Sequence, residues 1–159
     1  MSNTYLSFVV GEEQFAVNVT KVLEVLQKQT ITKVPNAPDF IKGIINFRGE
    51  VVPVFEMRVK FNLAERDETK GYVIIILDLQ SGEETIRIGA IADKVRDVIT
   101  LNDSDIKPVP AMNKDFNTEF LQGIVKLNDK FILLLNVDKV FTSNQLQQLH
   151  DSSEVLKNA

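Results

Sequence analysis

The chain contains no cysteine, which removes disulfides, thiolate nucleophiles and zinc–thiolate sites together. It has no tryptophan and only two tyrosines, Tyr5 and Tyr72, so the aromatic-lined groove that recognises proline-rich peptides has little to be built from. The single histidine, His150, lacks the base–nucleophile constellation of a catalytic site and reads as a solvated residue. Neither G-x-G-x-x-G nor G-x-x-x-x-G-K-[ST] occurs, so no phosphate-cradling loop is recognisable. Asn102-Asp103-Ser104-Asp105 opens like a calcium loop but lacks its sixth-position glycine and closing glutamate; a capped helical turn is expected instead. No apolar run approaches the roughly 20 residues of a membrane helix, and MSNTYLSFVV has no basic n-region, so it reads as a strand rather than a signal peptide. A formal charge of -4 argues against binding to a nucleic-acid backbone, which would require a basic face. Catalytic residues, metal ligands and cofactors are therefore expected to be absent, and a cytoplasmic, non-enzymatic protein is expected.

What is present is a repeated pattern. In Phe40–Phe61 (FIKGIINFRGEVVPVFEMRVKF) two apolar runs bracket Arg48-Gly49, the signature of a β-hairpin with a two-residue turn. Pro53 lies inside the second run and cannot donate to a ladder, so it calls for an edge position or a bulge. Phe120–Phe141 (FLQGIVKLNDKFILLLNVDKVF) repeats the stretch 80 residues on, with Gly123 on Gly43, Asn128-Asp129 on Arg48-Gly49 and Phe141 on Phe61. Upstream, Tyr5–Val10 closed by Gly11-Glu12-Glu13 is answered by Tyr72–Leu79 closed by Ser81-Gly82-Glu83-Glu84. Phe15–Val19 is answered by Ile86–Ala92, Lys21–Val25 by Lys94–Val98, and ITKVP (Ile31–Pro35) by IKPVP (Ile106–Pro110). The offset climbs from 71 through 73 and 75 to 80, as expected when a second copy gains residues in its loops.

These matches imply a mainly all-β chain made of two tandem five-stranded barrels from an internal duplication: one over residues 5–70, a second over 71–141, and a short C-terminal helix and tail over 142–159. Leu63–Gly71, polar and mixed in charge, is the linker. Val19–Leu26 fits a helical turn or a strand, and Asn36–Asp39, with Pro38, suggests a short helix. Ser143 is placed to cap a helix through Leu149. VIIIL (Val73–Leu77) and FILLL (Phe131–Leu135) lack alternation, so both faces of those strands should be covered. A copy of about 70 residues would bury only a marginal core alone.

Two features stand out as binding candidates. Arg48, at a hairpin tip, is either a partner contact or a solvated turn arginine. Val22 and Val95, at matching positions, are either core residues or the lining of a groove between the copies.

The stretch VPNAPDFIKGIINFRGEVVPVFEMRVKF (Val34–Phe61) resembles the P-x-F-I-x-G-x-x-N-L-R-G-x-x-x-P-x-x-D-L-R pattern of the CheW family of bacterial chemotaxis coupling proteins. GEEQFAVNVTKVLEV, IGAIADKVRDVI (Ile88–Ile99) and TEFLQGIVKLNDKFILLLNVDKVF support it, and the likeness runs from about Tyr5 to Leu149. The resemblance implies two SH3-like barrels and a non-catalytic scaffold bridging the cytoplasmic tips of chemoreceptors to the regulatory domain of the histidine kinase CheA, recruited from the cytoplasm to receptor arrays. It puts the receptor-contacting arginine on Arg48 and functionally sensitive positions on Val22, Glu24, Gly43, Gly89, Val95 and Val98. Phe47 stands where the family usually has leucine, and Phe55-Glu56-Met57 where V-D-L is typical. A free-standing SH3-like regulatory module of another two-component pathway is the alternative.

Overall fold

The computed structural model describes residues 2–64, 70–110 and 119–141. The helix expected through Leu149, and His150, lie outside them. The first copy supplies β1 (Ser2–Val10), β2 (Glu13–Asn18), β3 (Val22–Gln27), β4 (Ile41–Phe47) and β5 (Glu50–Glu56). A single helical turn follows, α1 (Met57–Lys60), started by the Glu56 carboxylate accepting from the Arg58 N–H. The second copy supplies β6 (Val73–Ser81), β7 (Glu84–Ala92), β8 (Lys94–Asn102), β9 (Leu121–Leu127) and β10 (Lys130–Leu135).

The strands assemble into two five-stranded sheets, in the orders β8-β1-β2-β10-β9 and β3-β6-β7-β5-β4. The expected division into one barrel over residues 5–70 and another over 71–141 does not describe this arrangement. Each copy lends its first hairpin to the other: β1–β2 joins β8, β9 and β10, while β6–β7 joins β3, β4 and β5. The cause lies in the pairing at each junction. β2 runs parallel to β10 and β5 parallel to β7, and parallel neighbours need a long crossover that a two-residue turn cannot supply. The topology is duplicated and resembles SH3-like barrels, but the end strands of each sheet do not pair with each other. Each sheet is an open half-barrel rather than a closed one.

Side-chain parity then makes three cores. Ile75, Leu77, Phe8, Val17, Phe55 and Leu135 meet between the sheets. Ile74, Ile76, Val52, Val54 and Ile91 fill the hollow of one sheet, and Tyr5, Ala16, Val125, Ile132 and Leu134 that of the other. Both faces of VIIIL are thus covered, one by the opposite sheet and one by its own hollow. FILLL follows the same rule from Ile132 onward, whereas Phe131 is exposed at the strand end. Duplicated rings also pair across copies: Phe61 stacks on Phe120 at 5.2 Å and Phe40 meets Phe141 at 5.4 Å.

Local expectations divide. Val19–Leu26 is both forms in series, a 3-10 turn over Val19–Lys21 and then β3. Asp103–Asp105 is a 3-10 turn in which the Asp105 carboxylate accepts from the Asn102 N–H at 2.8 Å. Asn36–Asp39 is not a helix: from Pro38 only a single turn forms, the Ile41 N–H donating to Pro38 O at 2.9 Å, and β4 begins at Ile41, leaving no room for a second. Pro53 is neither at an edge nor in a bulge. Ile44, its partner in β4, directs both its N–H and C=O to Thr32, and the ladder to β7 begins one residue later at Val54. No donor is required of Pro53 from β4.

An ion pair ties the two sheets together. The Arg58 guanidinium, on α1 beyond β5, donates to both oxygens of Asp93 at 2.7 and 2.9 Å. Asp93, between β7 and β8, also accepts from the Gly11 N–H in the β1–β2 turn at 2.9 Å. Both side chains are largely covered. Asp93→Ala should cost about 2–3 kcal/mol, because it removes the carboxylate on which a covered guanidinium and a backbone donor converge; urea unfolding measures it, and an unchanged midpoint would show the clamp to be idle.

Candidate partner-binding site

Arg48 and Gly49 form the turn between β4 and β5 with φ values of 53 and 82, and Asn128-Asp129 form its counterpart with 51 and 65. Two successive positive φ angles define the type I′ turn, whose twist matches that of the flanking strands. The side-chain oxygen of Asn46 accepts from the Gly49 N–H at 3.0 Å and closes the turn. Asparagine is well suited to the first turn position and stands there in the second copy; arginine, a long residue held left-handed, is not. The Arg48 side chain remains 64% exposed.

Glu24 reaches the same place through a β-bulge. The pairing of β3 with β6 shifts between Val22 and Glu24, so Leu23 and Glu24 both turn toward the hollow of that sheet. Its carboxylate lies 3.7 Å from the Arg48 guanidinium, a long, exposed contact worth little as a salt bridge. A matching register shift in β8, against Leu6 and Phe8 of β1, carries Asp97. There the hydroxyl of Ser7 donates to the Asp97 carbonyl at 3.1 Å and accepts from its N–H at 3.0 Å.

Strand parity brings further charges to the same rim. Asp78 continues the Ile74, Ile76 row, Glu50 the Val52, Val54 row, and Arg87 the Ile91, Gly89 row. Arg87 donates to Asp78 at 3.0 Å and to Glu50 at 2.6 Å. The hydrogen bond to Asp78 raises its pKa above the usual arginine value against the opposing effect of burial. Beneath lies Phe47, 3% exposed, with the Arg48 guanidinium 4.8 Å and that of Arg87 6.0 Å from its ring centre. Sequence reasoning passed over Asp78, Glu50 and Arg87. Their signal was the two-residue period carried past the apolar part of each strand, which becomes readable only once the strand neighbours are known.

The remaining expected positions do not join this rim. A Cβ on Gly43 would run into the carbonyl oxygen of Thr32 and approach Ile31 Cγ2 to 2.7 Å; Gly123 has the same relation to Lys107 O at 2.9 Å and Ile106 Cγ2 at 2.5 Å. Gly89 is buried, and a Cβ there would meet Ile74 Cγ2 at 2.8 Å and Val54 Cγ2 at 3.2 Å. In this structure all three glycines permit close approach. Val22 and Val95 lie half-buried on β3 and β8, at the margin of the core between the sheets, and Val98 on the same edge strand as Val95 is 64% exposed. The middle of that junction is packed shut, with a void of about 10 Å³. An open cleft of about 370 Å³ lies elsewhere, beside Lys33, Lys42, Glu56 and Val59, and none of the expected site residues lines it. Among the described residues no three His, Cys, Asp or Glu side chains converge as a metal site, and no helix is long and apolar enough to cross a membrane.

Comparison with known proteins agrees with this architecture. A family model described as the CheW-like domain matches residues 4–145. The chemotaxis protein CheW of Klebsiella aerogenes is 32% identical over 142 residues, covering 89% of this chain and 83% of that protein. That of Bacillus subtilis is 33% identical over 141 residues, covering 88% and 87%. The crystal structure of the scaffolding protein TtCheW from Thermoanaerobacter tengcongensis superposes with a TM-score of 0.79 at 32% identity, over 91% of each chain.

Proposed function

The chain belongs to the CheW-like domain family and is a non-catalytic adaptor that couples chemoreceptors to the histidine kinase CheA; from that premise we propose that Arg48 is its receptor contact. The observation that carries the reading is the turn itself. An arginine occupies a left-handed position at φ 53 where the second copy has asparagine, and a non-glycine residue held there stores strain that a purely structural turn has no reason to keep. The guanidinium is exposed, offers planar, directional donors and suits a carboxylate on the receptor tip.

Glu24, beside Arg48, tunes the orientation and charge of that contact. The cytoplasmic tip of the receptor meets this rim, and the regulatory domain of the kinase meets apolar surface at the strand edges, to which Val22, Val95 and Val98 belong. Gly43 and Gly89 act through shape, by letting neighbouring strands close up around the rim. The protein acts in the cytoplasm and is recruited to receptor arrays at the membrane. Holding both partners at once lets the receptor bias a kinase equilibrium by differential binding.

Arg48→Asn separates stability from function. Relieving the left-handed arginine should raise stability by about 0.5–1 kcal/mol, while receptor-dependent kinase activation in a reconstituted array falls sharply and calorimetric binding to the kinase regulatory domain stays as in wild type. A variant that is both more stable and fully active would show that Arg48 is only a turn residue.

A further inference from the structure

We propose that Phe47 and Arg87 form a platform that pre-orients Arg48 for its partner's carboxylate, making them positioning residues for the contact; this rests on the receptor reading above. Phe47 is buried, its ring covered by the Arg48 guanidinium at 4.8 Å and approached by that of Arg87 at 6.0 Å. A cation over an aromatic face is attracted by the ring quadrupole. Arg87 is itself fixed by Asp78 and Glu50, at 3.0 and 2.6 Å, so it stays in place, bounds the ring and repels Arg48 from that side. Glu24, 3.7 Å away, attracts Arg48 from β3. Backbone, ring and flanking charges together restrict a long side chain that would otherwise lose its freedom only on binding. The outer edge of the guanidinium stays open.

The other sheet lacks the ring and the guanidinium over it. Leu127 and Asn128 stand where Phe47 and Arg48 do, 80 residues on, and Lys130 replaces Glu50. The platform draws on both copies, Phe47 and Glu50 from the first and Asp78 and Arg87 from the second, and stands in one of the two sheets only.

The test uses the intact chain, a purified cytoplasmic hairpin fragment of a chemoreceptor, and the variants Phe47→Leu, Arg87→Gln and Arg48→Ala. Proton NMR of the wild-type protein alone should show the Arg48 side-chain methylenes shifted upfield by the ring, with slow motion of the guanidinium Nε–H that quickens in both Phe47→Leu and Arg87→Gln. Receptor affinity should fall about two- to five-fold in Phe47→Leu, more in Arg48→Ala, and no further when the two are combined. Unshifted methylenes in the wild type overturn the platform whatever the receptor does. So does wild-type affinity in Phe47→Leu alongside weak binding by Arg48→Ala, or additive losses in the double variant. Wild-type affinity in Arg48→Ala overturns the receptor contact instead, and the platform's role with it. If Phe47→Leu unfolds, Arg87→Gln decides the same question by the same two measurements.

Discussion

Gly43→Ala is expected to destabilise the protein by about 2–4 kcal/mol, lowering its melting temperature by roughly 5–15 °C. The clash is with backbone: the new methyl would sit on the carbonyl oxygen of Thr32, and that carbonyl cannot move freely. It accepts from the Ile44 N–H at 2.8 Å while the Thr32 N–H donates to Ile44 O at 3.0 Å, an isolated bridge that fastens residues 31–32 to β4. Making room for one methyl therefore costs two hydrogen bonds or a displaced strand. Gly123→Ala faces the same geometry at Lys107 with slightly more space, so its cost should be smaller. Thermal unfolding of the two variants side by side gives the comparison, and a Gly43→Ala protein as stable as wild type would mean that the crossing segment readily lifts away. A coupling defect at Gly43 would then be a shape defect, and it should be accompanied by lower stability.

Arg48→Glu should abolish receptor coupling while leaving the fold intact. Removing one partner of a desolvated charge pair typically costs about 2–5 kcal/mol of binding, or roughly thirty-fold and more in affinity, and reversing the sign adds repulsion. Inside the protein the change places a carboxylate close to Glu24, but both side chains are exposed, so the effect on stability should stay within about 1 kcal/mol. The double variant Glu24→Arg, Arg48→Glu distinguishes the two roles open to the arginine. It restores an internal pair and reverses what a partner sees. Receptor-dependent kinase activity that stays lost in the double variant supports a partner contact; recovery would mean that the internal pair itself is what coupling requires.

Much of this was legible in the sequence. The hairpin at Arg48-Gly49 announced itself through a glycine turn between apolar runs, and the repeat alone marked Asn128-Asp129 as its counterpart. The unbroken run VIIIL correctly implied two covered faces. The partnership of the strands was not legible. Periodicity reports which face a residue takes but is blind to which neighbour lies alongside, so the sequence order of the copies suggested tandem barrels where the hairpins are in fact exchanged. Pro53 misled for the same reason. Its place inside β5 is permitted by where Ile44 sends its hydrogen bonds, a fact belonging to another strand. Arg48 and Glu24 were among the expected positions, whereas the rest of the charged rim was invisible because Asp78, Glu50 and Arg87 come from three different strands.

The exchanged hairpins also set an order of events on the ribosome. The sheet holding β3 to β7 has all its strands once Ala92 has emerged, whereas β1 and β2 must wait for β8, β9 and β10, the last ending at Leu135. Leu135 follows Asn18 by more than a hundred residues, so at about 5–20 residues per second the first hairpin made remains without its final neighbours for on the order of ten seconds. Its hollow-side face, with Tyr5 and Ala16, is open to nascent-chain chaperones and to other emerging copies throughout that interval. The hairpin translated first is in this sense finished last.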